Sequence, residues 1–233
     1  MKTTNIYGGQ DPRELPAYTF REAAHYLRIP VSTIRAWARG HAAADGGFAF
    51  RPVLHLRPDQ LQLSFFNLIE AFVVDGLRRK HNFSMQRLRP AIDHLESIAS
   101  ATAHPLAELQ LAVFNDDLFV EMGELLNLSR PGQVAMRDVL AKYLRRVERG
   151  PAGAVQKLYP FVRRQADLAE PKVIVIDPLI SFGRPVIAGT GIPTSVVAER
   201  FKAGEPVEEL AADYRVAQAQ IEEAIRCELE LAA

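Results

Sequence analysis

Arg35 and Arg39 stand one helical turn apart in the stretch VSTIRAWARG, just after Ser32 and Thr33. On a helix beginning near Ser32, that spacing puts both guanidinium groups on one outward face, with Ser32 at its N-terminal end. Guanidinium forks pair with guanine edges in the major groove or grip phosphate, so these residues offer nucleic-acid recognition rather than bond making. Arg21, on the helical stretch before, and Arg51, after a strand-like alternation of Phe48 and Phe50, are placed to add contacts to a backbone. The same spacing also occurs in packed helical hairpins that bind nothing, so spacing alone leaves both readings open.

Other groupings of reactive side chains are weaker. Asp116 and Asp117 lie between two apolar runs, Leu111 to Phe114 and Leu118 to Met122, and read as a hairpin turn rather than a catalytic acid pair. The six histidines are scattered without a recognisable metal-ligand spacing, so no metal and no cofactor is expected. Gly189-Thr190-Gly191 is a tight turn. It lacks the Gly-Lys-Ser or Gly-Lys-Thr of a phosphate-binding loop and does not match a dinucleotide fingerprint. No serine sits in a nucleophile elbow, and Cys227 falls on an amphipathic helix as a small core residue. These absences lead to the expectation of a protein that is not an enzyme.

The elements that must position the arginines follow from periodicity and caps. The fold class expected is mainly α with small β elements: a winged helix-turn-helix, a middle hairpin-and-helix section, and a C-terminal three-helix unit resembling a second helix-turn-helix. Residues 1–18 read as an irregular lead-in, 19–100 as the first domain, 101–170 as a connecting α+β section, and 171–233 as the last domain. Thr19 caps a helix to Leu27, the Arg28-Ile29-Pro30-Val31 stretch breaks it, and Ser32 caps a second helix to Gly40. Ala23 and Ala24 permit close helix approach over Ile29, Ile34 and Trp37. Asp45-Gly46-Gly47 turns into a wing reaching Val53, Leu54 and Leu56. Helices follow from Leu63 to Arg79 and from Ser84, with Pro90 kinking the second. A helix is expected over Asp138 to Arg149, a strand over Leu158 to Val162, and another over Val173 to Ile176. In the last domain, Thr194 or Ser195 caps a helix that Gly204 ends, and helices over Val207 to Tyr214 and Gln218 to Leu229 follow.

Charge separates the two helix-turn-helix units. The formal net charge is zero, yet it runs from plus four over residues 1–100, through zero over 101–170, to minus four over 171–233. The first unit carries Arg21, Arg28, Arg35 and Arg39 against Glu22. The second carries Glu208, Glu209, Asp213, Glu222, Glu223, Glu228 and Glu230 against Arg215 and Arg226. DNA repels the second and attracts the first. The longest apolar run, near Phe65 to Val74, is interrupted by Asn67 and Glu70, so no membrane segment is expected. The opening residues lack an apolar leader and the single cysteine cannot form an internal disulfide, which leads to the expectation of a cytoplasmic protein.

TFREAAHYLRIPVSTIRAWARG resembles the opening of MerR-like winged helix-turn-helix proteins, and LSFFNLIEAFVVDGLRRKHNFSMQRLRPAI resembles their next helix pair, with Asn82 where glycine is usual. The stretch FGRPVIAGTGIP resembles a small bacterial domain family, long of unknown function, with the signature Gly-x-Pro-x-Ile-x-Gly-Thr-Arg-Ile-Pro. Gly183, Pro185, Ile187, Gly189, Thr190, Ile192 and Pro193 match it, and Gly191 replaces the arginine. Together these resemble the larger VapB-type antitoxins. The resemblance implies a homodimer that represses its own operon through double-stranded operator DNA and neutralises a PIN-like ribonuclease toxin. It further implies an arginine entering the toxin's carboxylate cluster, for which Arg184, Arg200, Arg215 and Arg226 are candidates. Two readings compete with it. One is a MerR-like transcription regulator whose C-terminal domain senses a ligand or dimerises, without a toxin. The other is a nucleotide-binding enzyme using the Gly189 loop.

Overall fold

The computed structural model describes residues 7–42, 48–57, 59–79, 85–98, 102–108, 138–151, 153–162 and 170–229. Among these, nine helices and three two-stranded antiparallel pairs give a mixed, mainly helical fold. The expected hairpin over Leu111 to Met122 lies outside the described residues.

The first helix, α1 (Phe20–Leu27), starts as its sequence dictates. The Thr19 hydroxyl accepts from the Glu22 N–H at 3.2 Å, and Glu22 Oε2 accepts from the Thr19 N–H at 2.8 Å, a reciprocal capping box. Arg28 ends it in the left-handed region at φ 56°. The second helix, α2 (Val31–Arg39), starts one residue before Ser32, with Pro30 in the cap position and no side-chain cap. The expectation that Ser32 caps it is therefore corrected. Proline has no N–H to leave unsatisfied, and its carbonyl receives Thr33 and Ile34 at 2.9 and 3.1 Å.

The wing is β1 (His41–Ala42) against β2 (Phe48–Phe50), with a bulge between His41 and Ala42. It stops short of the expected Leu56. Val53 and Leu54 turn inward, are buried, and both donate their N–H groups to the Trp37 carbonyl, at 2.8 and 3.1 Å. Helix α3 (Phe65–Arg79) is the spine of the main core, and α4 (Met85–Ile98) accommodates Pro90 within its length. Short α5 (Pro105–Glu108) follows.

The middle section differs from its sequence pattern. Helix α6 is described over residues 138–144, and residues expected to extend it instead form β3 (Val147–Arg149), paired with β4 (Val155–Leu158). The Gly150 to Gly153 break is the turn of this hairpin, closed by Gly150 N–H to the Ala154 carbonyl at 2.9 Å. The strand expected at Leu158 thus ends there. Tyr143 on α6 packs against Phe72 and Phe161, with ring centroids 4.8 and 5.0 Å away. Gly76 of α3 admits that ring: a Cβ there would lie 2.7 Å from it.

The last unit begins with β5 (Ile174–Val175) against β6 (Val186–Ile187), joined to β4 by an antiparallel bridge between Leu158 and Ile176. Three helices complete it, α7 (Thr194–Lys202), α8 (Val207–Tyr214) and α9 (Gln218–Leu229). Neither Thr194 nor Ser195 caps α7; Pro193 holds the cap position, and buried Thr194 donates its hydroxyl to the Pro185 carbonyl at 3.2 Å. Arg215 ends α8 at φ 56° and ψ 44°, matching Arg28 at φ 56° and ψ 39°. The two helix-turn-helix units share the same left-handed arginine turn, and their charges differ as the sequence does.

One buried cluster runs from Tyr18 to Ile176 and a second from Val162 to Cys227, so most of the buried apolar residues described between 102 and 162 pack with the first unit. Arg28 joins the two ends of the chain: its Nη2 donates to the Arg226 and Cys227 carbonyls at 3.0 and 2.8 Å, on the last turns of α9. Beside it, His25 Nε2 lies 3.5 Å from Glu228 Oε2. Among the described residues, no helix is long and apolar enough to cross a membrane.

Candidate nucleic-acid interface

The packing of α2 decides which of its residues face outward. Ile34, Trp37 and Ala38 are buried, while Ser32, Arg35 and Arg39 are exposed and Thr33 and Ala36 are half-buried. Small side chains at 32, 33 and 36 leave the helix surface open to close approach, and Arg35 and Arg39 flank it. Arg39 lies over the Phe20 ring, 5.6 Å from its centroid, which orders the long side chain before any ligand arrives. Arg21 is exposed on α1.

Arg51 follows the wing, with its side chain 70% exposed and 3.8 Å from Asp93. Such an exposed pair is weak and is readily exchanged for a phosphate. The expected DNA residues thus group into Ser32, Thr33, Arg35 and Arg39 on α2, Arg51 beside the wing, and Arg21 on the neighbouring helix.

Sequence reading missed the third wall of this surface. A groove of about 440 Å³ lies between α2, the wing and α4, lined by Ser32, Thr33, Ala36, Arg51, Arg78 and Arg89. Arg89 donates to the Arg51 and Pro52 carbonyls, tying the exit of the wing to α4. The signal available was the RLRP run, but only the fold places it opposite α2.

A buried charge network supports the wing exit from below. Glu70 on α3 is fully buried, and its Oε1 accepts from His55 Nδ1 at 2.8 Å and His104 Nδ1 at 3.2 Å. Its Oε2 accepts from the His55 N–H and from Asn67 Nδ2, each at 3.0 Å. His104 Nε2 reaches Glu14 at 3.2 Å, and His55 Nε2 faces Glu96 at 3.8 Å. Burial pushes the Glu70 carboxyl up, but the hydrogen bonds from His104 and His55 overcome it and hold the group below its ordinary value. The hydrogen bond to Glu70 raises His55. At His104, burial pulls down and the Glu70 bond and charge prevail, so it too is raised. The two histidines, scattered in sequence, are counter-ions to one carboxylate. Among the described residues, no group of three or more acidic, histidine or cysteine side chains is arranged to hold a metal ion.

The four C-terminal arginines sit on different elements. Arg200 on α7 is held by Glu205, with Nε to Oε1 at 2.9 Å, by Asp213 at 2.6 Å, and over the Tyr214 ring. Arg226 on α9 pairs with Glu223. Arg184, in the loop before β6, and Arg215, after α8, are exposed and make no ion pair among the described residues. In the Gly189 turn, the Thr190 hydroxyl is spent on the Ile187 carbonyl at 2.8 Å. Cys227 is buried; desolvation, then the Glu228 charge, push its thiol up to about 12.

Two family models match separate parts of the chain. Residues 16–92 match the family described as "Putative DNA-binding HTH domain". Residues 174–226 match the family described as "Protein of unknown function (DUF433)". The first match falls on the unit that carries Arg35 and Arg39. "Putative antitoxin VapB45" of Mycobacterium tuberculosis (strain ATCC 25618 / H37Rv) is 26% identical over 234 residues, covering 91% of this chain and 93% of that protein. "Uncharacterized protein Rv2308" of the same strain is 27% identical over 217 residues, covering 89% and 88%. The crystal structure of Rv2018 from Mycobacterium tuberculosis shares the fold, with a TM-score of 0.68 at 24% identity over 91% of this chain and 98% of that one.

Proposed function

We propose that this chain is the DNA-binding antitoxin of a toxin-antitoxin pair, without catalytic activity of its own. On this reading it binds its operator as a homodimer through α2 and the wing, represses its own operon, and neutralises a PIN-like ribonuclease through its C-terminal half. The observation that carries the reading is the near end-to-end similarity to a protein named as an antitoxin, in a chain whose α2 presents two exposed arginines. The match of residues 16–92 to the family described as "Putative DNA-binding HTH domain" supports operator binding.

A PIN-type nuclease offers clustered carboxylates, so the arginine that meets it must be exchangeable. Exposed Arg215 suits that role better than Arg200, which already holds two carboxylates. Co-expression with the open reading frame beside the gene tests the toxin half. The neighbour is expected to arrest growth alone, to be harmless with this chain, and to co-purify with it. A harmless neighbour that does not co-purify removes the antitoxin reading and leaves a plain regulator.

For the DNA half, Arg35→Ala is expected to weaken operator binding by about 1–3 kcal/mol if the fork reads a base, without altering thermal stability. An unchanged gel shift would take Arg35 off the reading face. Footprinting is expected to show two half-sites separated by about one helical turn or a multiple of it.

A further inference from the structure

Two apolar side chains stand out on the loop between β5 and β6: Leu179 is 70% exposed and Phe182 is 73% exposed. The loop that displays them is fastened at both ends. Asp177 Oδ1 accepts from the Leu179 N–H at 2.8 Å, the Tyr7 hydroxyl donates to the Pro178 carbonyl at 2.9 Å, and the Tyr18 hydroxyl donates to the Gly183 carbonyl at 2.9 Å. Gly183 is required there, because a Cβ would lie 2.3 Å from the Tyr18 hydroxyl oxygen. Ser181 and Phe182 are held at φ 49° and 55°, in the left-handed region that costs a non-glycine residue conformational energy. Core packing does not explain a phenylalanine in that state, since its ring is in solvent.

Directly beside the knob is a hole. A groove of about 240 Å³ is walled by Pro12, Leu15, Pro16, Tyr26 and Phe182 itself. Its rim carries one cation, exposed Arg184, and one anion, half-buried Glu22. Glu22 spends Oε2 on the Thr19 cap, which fixes the carboxylate in place. Knob with hole, and cation with anion, on one patch is the arrangement a two-fold axis requires, because each feature then meets its complement on the other copy. A heterologous partner would need only one member of each pair.

We infer that this patch is the surface through which two copies of the chain associate. Phe182 and Leu179 of each copy enter the groove of the other, and Arg184 of one meets Glu22 of the other. This rests on the dimeric reading above and gives it a location. Fixing the loop in advance removes an ordering cost from association, which accounts for tyrosines from the N-terminal lead-in being spent on carbonyls of a distant loop.

The test is light scattering on the full chain after size exclusion at micromolar concentration. Wild type is expected at the mass of two chains. Phe182→Glu and Leu179→Glu are each expected at the mass of one, with dimer dissociation raised about 100-fold or more and melting of the chain itself preserved. Arg184→Glu is expected to weaken the dimer about 10-fold, and Arg184→Glu combined with Glu22→Arg to dimerise better than either single change. Wild type at the mass of one chain would overturn both the dimer and this surface. A dimer indifferent to Phe182→Glu would overturn the surface alone. A Phe182→Glu dimer that no longer retains a co-purifying toxin would assign the knob to the toxin instead.

Discussion

Replacing Glu70 by alanine is expected to destabilise the chain by about 3–5 kcal/mol, the range for removing one member of a buried ion pair. The carboxylate is fully buried and receives both His55 and His104 as well as Asn67 and a backbone N–H. Alanine takes the acceptor from His55 Nδ1, His104 Nδ1 and the His55 N–H, leaves Asn67 Nδ2 only its bond to the His55 carbonyl, and opens a void between α3, α5 and the wing exit. Glu70→Gln keeps the shape and removes the charge, so its loss is expected to be smaller. The two variants are also expected to flatten the pH dependence. The histidines are raised above their ordinary 6.5 in the folded chain, so their contribution is complete below 6.5 and is lost as pH rises through the raised values. Glu70 is lowered below its ordinary 4.5, so its contribution is complete above 4.5 and is lost as pH falls through the lowered value. The network therefore contributes most between about pH 4.5 and 6.5. Urea titrations across that range, followed by the fluorescence of the single tryptophan, measure it. A wild-type profile no steeper on either side than that of Glu70→Gln would show the pairing to be energetically silent.

What the sequence made legible followed local rules. The helices of the last unit fall at Val207–Tyr214 and Gln218–Leu229, where their apolar spacing puts them, and Thr19 caps α1 as its residue type suggests, with the reciprocal bond from Glu22 added by the structure. Ser32 and Thr194 misled because each follows a proline that takes the cap position itself, leaving the hydroxyl one or two residues inside the helix. Residues 147–149 misled because the charged run that continues α6 in sequence turns into a strand once Leu158 pairs with Ile176 and Val147 is buried. Glu70 was legible only as an interruption of an apolar run. Its partners lie 15 and 34 residues away, so no spacing rule reaches them. The α2 arginines were readable from one helical turn, whereas Arg78 and Arg89 join the same groove only through the packing of α3 and α4.

Trp37→Ala is expected to cost about 3–5 kcal/mol, as large aromatic truncations in packed cores do, and to lower the melting temperature by about 6–20 °C. Its indole is 2% exposed on the inner face of α2, in the main cluster with Ile34, Val53 and Leu54. The Trp37 carbonyl also receives Val53 and Leu54, so the helix that presents Arg35 and Arg39 and the segment leaving the wing are pinned at one residue. Alanine keeps that carbonyl but removes the packed ring beneath both walls of the groove, and operator binding is expected to fall well below that of Arg35→Ala even at temperatures where the variant remains folded. Trp37→Phe, which refills most of the space, is expected to recover most of the stability and most of the binding. The two losses separate mechanism from stability. Arg35→Ala removes a contact and leaves the melt unchanged, whereas Trp37→Ala leaves every arginine in place and removes the support that aims them. A Trp37→Ala protein that melts like wild type, or that keeps full operator affinity, would show that α2 is positioned for DNA by something other than its buried face.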